Sequence, residues 1–161
     1  MCPGSSVRNP QAPFLPSVHA VRKSVLLPHS ARQMFELVDR IEDYPKFLPW
    51  CGGTEVDRDD ASVVSATILI DYLGIRQQFS TLNVHRPHEA ISMRLRDGPF
   101  ARLDGEWRFL ALREGACKVE FELDYAFARG LLGRALAPVF DQIARSFIDA
   151  FVRRADQLHG R

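Results

Sequence analysis

Cys117-Lys118-Val119-Glu120-Phe121-Glu122-Leu123-Asp124-Tyr125-Ala126-Phe127 decides the fold when read together with the segment beyond Ala128-Arg129-Gly130. Apolar residues fill the odd positions and mostly charged residues the even ones, the period of an antiparallel strand with one covered face and one wet face. Past Gly130 the period changes. Leu132, Leu136, Val139, Phe140, Ile143, Phe147, Phe151 and Leu158 form one helical stripe, while Asp141, Arg145, Asp149 and Arg153 recur every four residues on another face. Pro138 is expected to kink this helix or to begin it afresh. From there to Leu158 the helix would run about 30 Å. A strand that needs a cover thus leads directly into a long amphipathic helix that can supply one.

The chain upstream extends this pattern. Leu103, Gly105, Trp107, Phe109 and Ala111 alternate with Asp104, Glu106 and Arg108. Between Thr54 and Phe127, turn signals at Arg58-Asp59-Asp60, Gly74, Arg86-Pro87, Asp97-Gly98-Pro99 and Glu114-Gly115 divide the chain into six antiparallel strands. A first strand is expected from His19 to Leu27, ended by Pro28. Ser30 and Gln33 then form a capping box, and Ala31, Met34, Phe35 and Val38 give the stripe of a short helix. Tyr44-Pro45-Lys46-Phe47-Leu48-Pro49-Trp50-Cys51 is a packed connector, with one helical turn capped by Asp43. Residues 1–18 hold Pro3, Pro10, Pro13 and Pro16 and no acidic residue, so they read as a disordered leader, with 19–160 as the folded domain. A downstream start codon at Val7 or Val18 would account for a leader so unlike the rest.

At 161 residues the chain is sized for one domain, and 46% hydrophobic with 25% charged residues excludes wholesale disorder. A net charge of +1 excludes the basic field of a protein that binds DNA in bulk. The three cysteines are far apart and odd in number, so a disulfide scaffold is not expected and a reducing, cytoplasmic setting is. No signal peptide or apolar span is evident. Eleven Phe against three Tyr and two Trp is the unusual count, because Phe supplies apolar surface with no polar handle.

These patterns add up to an α+β architecture, a curved antiparallel sheet covered by one long helix. It closes on a solid core or leaves a tunnel, and periodicity does not separate the two. His85 and His88 flank Pro87 in a turn with no third ligand at a metal-site spacing, and His19, His29 and His159 are isolated, so all read as surface or end-of-element residues. Neither a nucleophile elbow nor a Cys-His signature is present. Cys51 reads as a buried thiol or a reactive one, and Asp71, Asp97 and Asp124 as turn caps or as raised-pKa bases. Arg94, Arg96, Arg102 and Arg108, and Arg129, Arg134, Arg145, Arg153 and Arg154, read as solvated faces balanced by acids or as surfaces for RNA or anionic membrane.

The motifs Tyr44-Pro45-Lys46-Phe47-Leu48-Pro49-Trp50-Cys51, Asp97-Gly98-Pro99-Phe100, Leu103-Asp104-Gly105-Glu106-Trp107-Arg108-Phe109 and Phe151-Val152-Arg153-Arg154-Ala155 together resemble the coenzyme Q-binding START-domain family. That family includes the ribosome association toxins and lies within the polyketide cyclase and START-like superfamily. The resemblance spans residues 19–160. It implies the helix-grip fold, a curved seven-stranded sheet around the C-terminal helix with an apolar cavity between. It further implies binding of ubiquinone or a similar polyprenyl lipid in support of respiration or quinone biosynthesis, with transient contact at the inner membrane surface and no required cofactor. The alternative it implies is association with the large ribosomal subunit that blocks subunit joining. A small-molecule cyclase or hydrolase is a third reading that only the breadth of the superfamily supports, and no catalytic residue carries over. In such a cavity Tyr44, Trp50 and Trp107 are the candidates for a lipid's head group, and Phe79, Met93, Phe100, Phe140, Phe147 and Phe151 for its tail, with Phe47 of the connector a further ligand-binding candidate.

Overall fold

A computed structural model describes residues 18–58 and 60–160. The expected leader therefore lies outside the described residues, apart from Val18. Strand β1 (His19–Leu27) leads to helix α1 (Ala31–Asp39), a 3-10 turn (Ile41–Lys46), strands β2 (Cys51–Asp57), β3 (Val63–Tyr72), β4 (Ile75–Arg86), β5 (Ala90–Asp97), β6 (Phe100–Arg113) and β7 (Ala116–Phe127), and helix α2 (Leu131–His159). The sheet is fully antiparallel in the order β1-β7-β6-β5-β4-β3-β2. Irregular register at Cys51/Gly53, Ser80/Thr81, Phe100/Arg102 and Ala111/Arg113 bends the strands, as bulges do. The result is the expected α+β helix grip of seven strands and a C-terminal helix.

Local chemistry accounts for the ends of the elements. Ser30 accepts from the Gln33 amide at 3.0 Å and Gln33 returns the bond to the Ser30 amide at 2.9 Å, which closes the capping box of α1. The connector turn begins earlier than expected, with Arg40 as its N-cap and no side-chain cap bond, so Asp43 sits inside the turn. There it pairs with Lys46 at 3.1 Å. β2 likewise starts at Cys51 rather than at Thr54. Pro138 sits exposed inside α2 without ending it: its ring faces solvent, and the cost is one backbone bond early in a long helix.

α2 lays Leu136, Val139, Phe140, Ile143, Ala144, Ile148, Phe151 and Ala155 onto the sheet. The expected stripe overreaches at both ends, because Leu132 (46% exposed) and Leu158 (52%) project past the curved sheet. Ala111 is exposed for the same reason at the end of β6. On the outer face of the sheet, Arg108 bonds Glu106, Glu120 and Glu122, Arg22 bonds Asp124, and Arg102 bonds Asp104. Arg102 and Arg108 are therefore neutralised within the sheet and do not present a free cationic face.

Candidate functional site

Between the concave face of the sheet and α2 lies a cavity of about 70 Å³. Ile41 and Tyr44 of the 3-10 turn, Trp50 ahead of β2, inward residues of β3 to β7, and Phe140, Ile143, Ala144 and Phe147 of α2 line it. Every lining residue is buried except Met93 and Phe147, which are half-buried. Strand periodicity places the lining. Trp107 and Leu103 share the inner parity of β6, Phe121 and Leu123 that of β7, and α2 crosses above them.

Seven of the candidates come together here: Tyr44, Trp50, Phe79, Met93, Trp107, Phe140 and Phe147. The other three do not line the cavity. Phe100 packs behind it against Phe79, Phe127 and Phe140, with centroids 4.9–5.6 Å away. Phe151 is fully buried among Tyr44, Phe47, Trp107 and Phe147. Phe47 lies on the far side of Phe151 with the Arg154 guanidinium 5.3 Å over its ring. Phe100 thus belongs to a ring cluster with Phe79, Phe127 and Phe140, and Phe47 and Phe151 to a second one with Tyr44, Trp107 and Phe147, each continuing the lining on its own side. The sequence shows that a side chain faces inward, but not whether it meets another side chain or empty space.

Of the three head-group candidates, Trp50 and Trp107 line the cavity, while the hydroxyl of Tyr44 is engaged elsewhere. Tyr44 donates its hydroxyl to the Val38 carbonyl at 2.6 Å, and burial raises its pKa, so that hydroxyl braces the connector against α1. The lining also holds two buried polar side chains, Thr81 and Asn83, neither of which is among the candidates read from sequence. A signal for them exists, since both share the inward parity of Phe79 on β4.

Two histidines are not the isolated surface residues expected. His29 is 2% exposed and bonds Asp156 of α2 at 2.8 Å. His85 is 6% exposed, with Nδ1 3.1 Å from the Asp39 carboxylate. Arg58 bonds Asp39 and Glu42 beside it, at 3.2 and 3.0 Å. Partial burial alone would raise the Asp39 pKa, but hydrogen bonds and charge from His85 and Arg58 outweigh it and hold the carboxyl below its usual range. A depressed carboxylate contributes stability above its unfolded pKa and loses it as pH falls through the folded value. Asp39→Asn is accordingly expected to cost about 1 kcal/mol at pH 7 and to flatten the decline in stability below about pH 4. Urea melts from pH 3 to 7 read this, and identical acid slopes for the two proteins would refute it.

Among the described residues no three His, Cys, Asp or Glu side chains are placed to hold a metal, and no helix is long and apolar enough to cross a membrane. Cys51 and Cys117 are buried thiols, and burial raises both, Cys117 to about 11. Asp71 pairs with Arg76 across the β3–β4 turn at 2.8 Å, and Asp124 with Arg22 at 2.9 Å, as surface carboxylates do.

Residues 27–152 match the family model for polyketide cyclase/dehydrase and lipid transport proteins. The ribosome association toxin RatA of Pseudomonas aeruginosa is 41% identical over 140 residues, which cover 87% of this chain and 97% of that protein. The mitochondrial coenzyme Q-binding protein COQ10 homolog B of Xenopus laevis is 27% identical over 164 residues, 98% of this chain and 67% of that protein. Among solved structures, the Zhui aromatase/cyclase from Streptomyces sp. R1128 superposes with a TM-score of 0.75 at 16% identity, covering 88% of this chain and 95% of that one. That likeness bears on the fold alone.

Proposed function

The chain belongs to the polyketide cyclase/dehydrase and lipid transport family, with the ribosome association toxins among its relatives, and from that premise we propose that it binds a neutral polyprenyl lipid, ubiquinone or a close relative, in the cavity under α2. The observation that carries this reading is the lining: apolar residues apart from Thr81 and Asn83, with no charged side chain among them. A charged head would be stranded in it. A prenyl chain brings no donor or acceptor of its own into it. The excess of Phe over Tyr has the same sense.

Magnitudes define how such a ligand is chosen. Moving one isoprene unit out of water contributes about 4 kcal/mol, at roughly 0.8 per carbon. The lipid starts in a bilayer, so that gain is already present and the transfer is close to neutral. Selectivity must then come from shape and from polar contacts. At about 70 Å³ the resting cavity is about half of one known to take benzene, roughly 150 Å³, so a guest enters by displacing lining side chains. Half-buried Phe147 and Met93 are the least costly to move.

A second reading, association with the large ribosomal subunit, draws on the toxin-like relatives and on Arg134, Arg145 and Arg153, which are exposed along α2. One preparation tests both. Organic extracts of protein purified from its native host are expected to contain a stoichiometric polyprenyl lipid by mass spectrometry, and repeated extracts without lipid would refute the first reading. The same protein added to lysate separates the second: loss of joined ribosomes on sucrose gradients, restored by changing those arginines to Ala, supports it, and unchanged profiles remove it.

A further inference from the structure

β4 is built against the grain of the sheet. Its inward positions after Phe79 are Thr81, Asn83 and His85, all buried, while Leu82 (41% exposed) and Val84 (47%) face water. The inward residues of the neighbouring β3 are Val64, Ala66, Ile68 and Ile70. A slip of one residue would bury Leu82 and Val84 but would also expose Phe79 and turn Arg76 and Arg86 inward, so the first half of the strand fixes the register and carries the polar side chains of its second half inside. His85 pairs with Asp39 through Nδ1, and its Nε2, though without a partner among the described residues, does not face the cavity. Asn83 is different: it is 3% exposed, it lines the cavity, and its Oδ1 has no hydrogen-bond partner among the described residues.

We infer that Asn83, seconded by Thr81, is the polar pole of the cavity and selects a neutral hydroxyl carried by an otherwise apolar ligand. The inference rests on the cavity-binding reading above and narrows it. An unsatisfied carboxamide oxygen needs a donor, which an alcohol, a phenol or a quinol supplies. A carbonyl brings no proton to that oxygen. A carboxylate is excluded because no cation lines the cavity to pair with its buried charge.

Three molecules of one shape test this on the full chain: p-cresol, p-xylene and p-toluate at pH 7.5, titrated by amide and indole chemical shifts into wild type and Asn83→Leu. Comparing each ligand across the two proteins cancels its own cost of leaving water. The cresol affinity is expected to fall about tenfold in Asn83→Leu, equivalent to about 1.4 kcal/mol, while xylene binds the variant at least as well as wild type. Toluate is expected to bind wild type at least tenfold more weakly than cresol. Thr81→Val, a near-isosteric change, should lower cresol binding about threefold and supplies the test if Asn83→Leu does not fold. Equal effects of the substitutions on cresol and xylene would overturn the role of Asn83, as an ordered water satisfying its oxygen would produce, and leave the cavity reading standing. Toluate binding as tight as cresol would overturn the exclusion of charge. Failure of all three to bind wild type would overturn the cavity reading and the inference together.

Discussion

Trp107→Ala is expected to lose about 3–5 kcal/mol of stability, the range for deleting a large buried aromatic side chain. Trp107 is 1% exposed, and its ring lies 4.7 Å from Phe121, 5.2 Å from Phe151, 5.7 Å from Phe147 and 6.0 Å from Phe109 by centroids. Two of those neighbours are on the sheet and two on α2, so the indole is where the helix is gripped. Against a total of about 5–15 kcal/mol for a typical domain, the loss would leave little margin. Trp107→Phe should recover much of it. Trp50→Ala should cost less, since among the described aromatic rings Trp50 meets only Phe147, at 6.1 Å. Urea melts at 25 °C decide the matter. A loss below about 1 kcal/mol for Trp107→Ala would mean that the aromatic cluster repacks freely, which close-packed interiors do not do.

The same indole shows how far periodicity reaches. Parity along β6 puts Trp107 inside, as parity along β7 puts Phe121 inside, because a strand's side chains alternate whatever the rest of the molecule does. β1, the capping box of α1 and the turns between the strands are legible for similarly local reasons. Cavity against core is not. Phe147 lines the cavity and Phe151, one turn further along α2, is sealed among Tyr44, Phe47 and Trp107, a difference set by the connector packed beneath them. The burial of His29 is invisible in the sequence because its partner, Asp156, is 127 residues away. Asn83 is hidden because exposed Leu82 and Val84 draw attention to the wrong face of β4, against the parity that Asn83 shares with Phe79, and the register with β3 and β5 decides between the two faces.

Gly133→Ala separates a local rule from a tertiary one by the sign of its effect. Position 133 is in the first turn of α2, where helix propensity alone predicts that replacing Gly by Ala stabilises by about 1 kcal/mol. The structure predicts the opposite. A Cβ built on Gly133 falls 2.0 Å from the Ala128 carbonyl oxygen, a backbone atom that cannot rotate away. Residue 128 is held on its N-terminal side, where its N–H donates to the Pro99 carbonyl at 3.1 Å in the turn between β5 and β6. Relief must come from α2, whose first turns carry Leu136 and the cavity-lining Phe140. A net loss of about 2–3 kcal/mol is expected, in the range for overpacking. Gly115→Asn is the control: this glycine has φ +77° with nothing within 4 Å of its added Cβ, and Asn tolerates that region. If Gly133→Ala melts at or above the wild-type temperature, the start of α2 is free to shift, and the walls of the cavity are less fixed than the close contact requires.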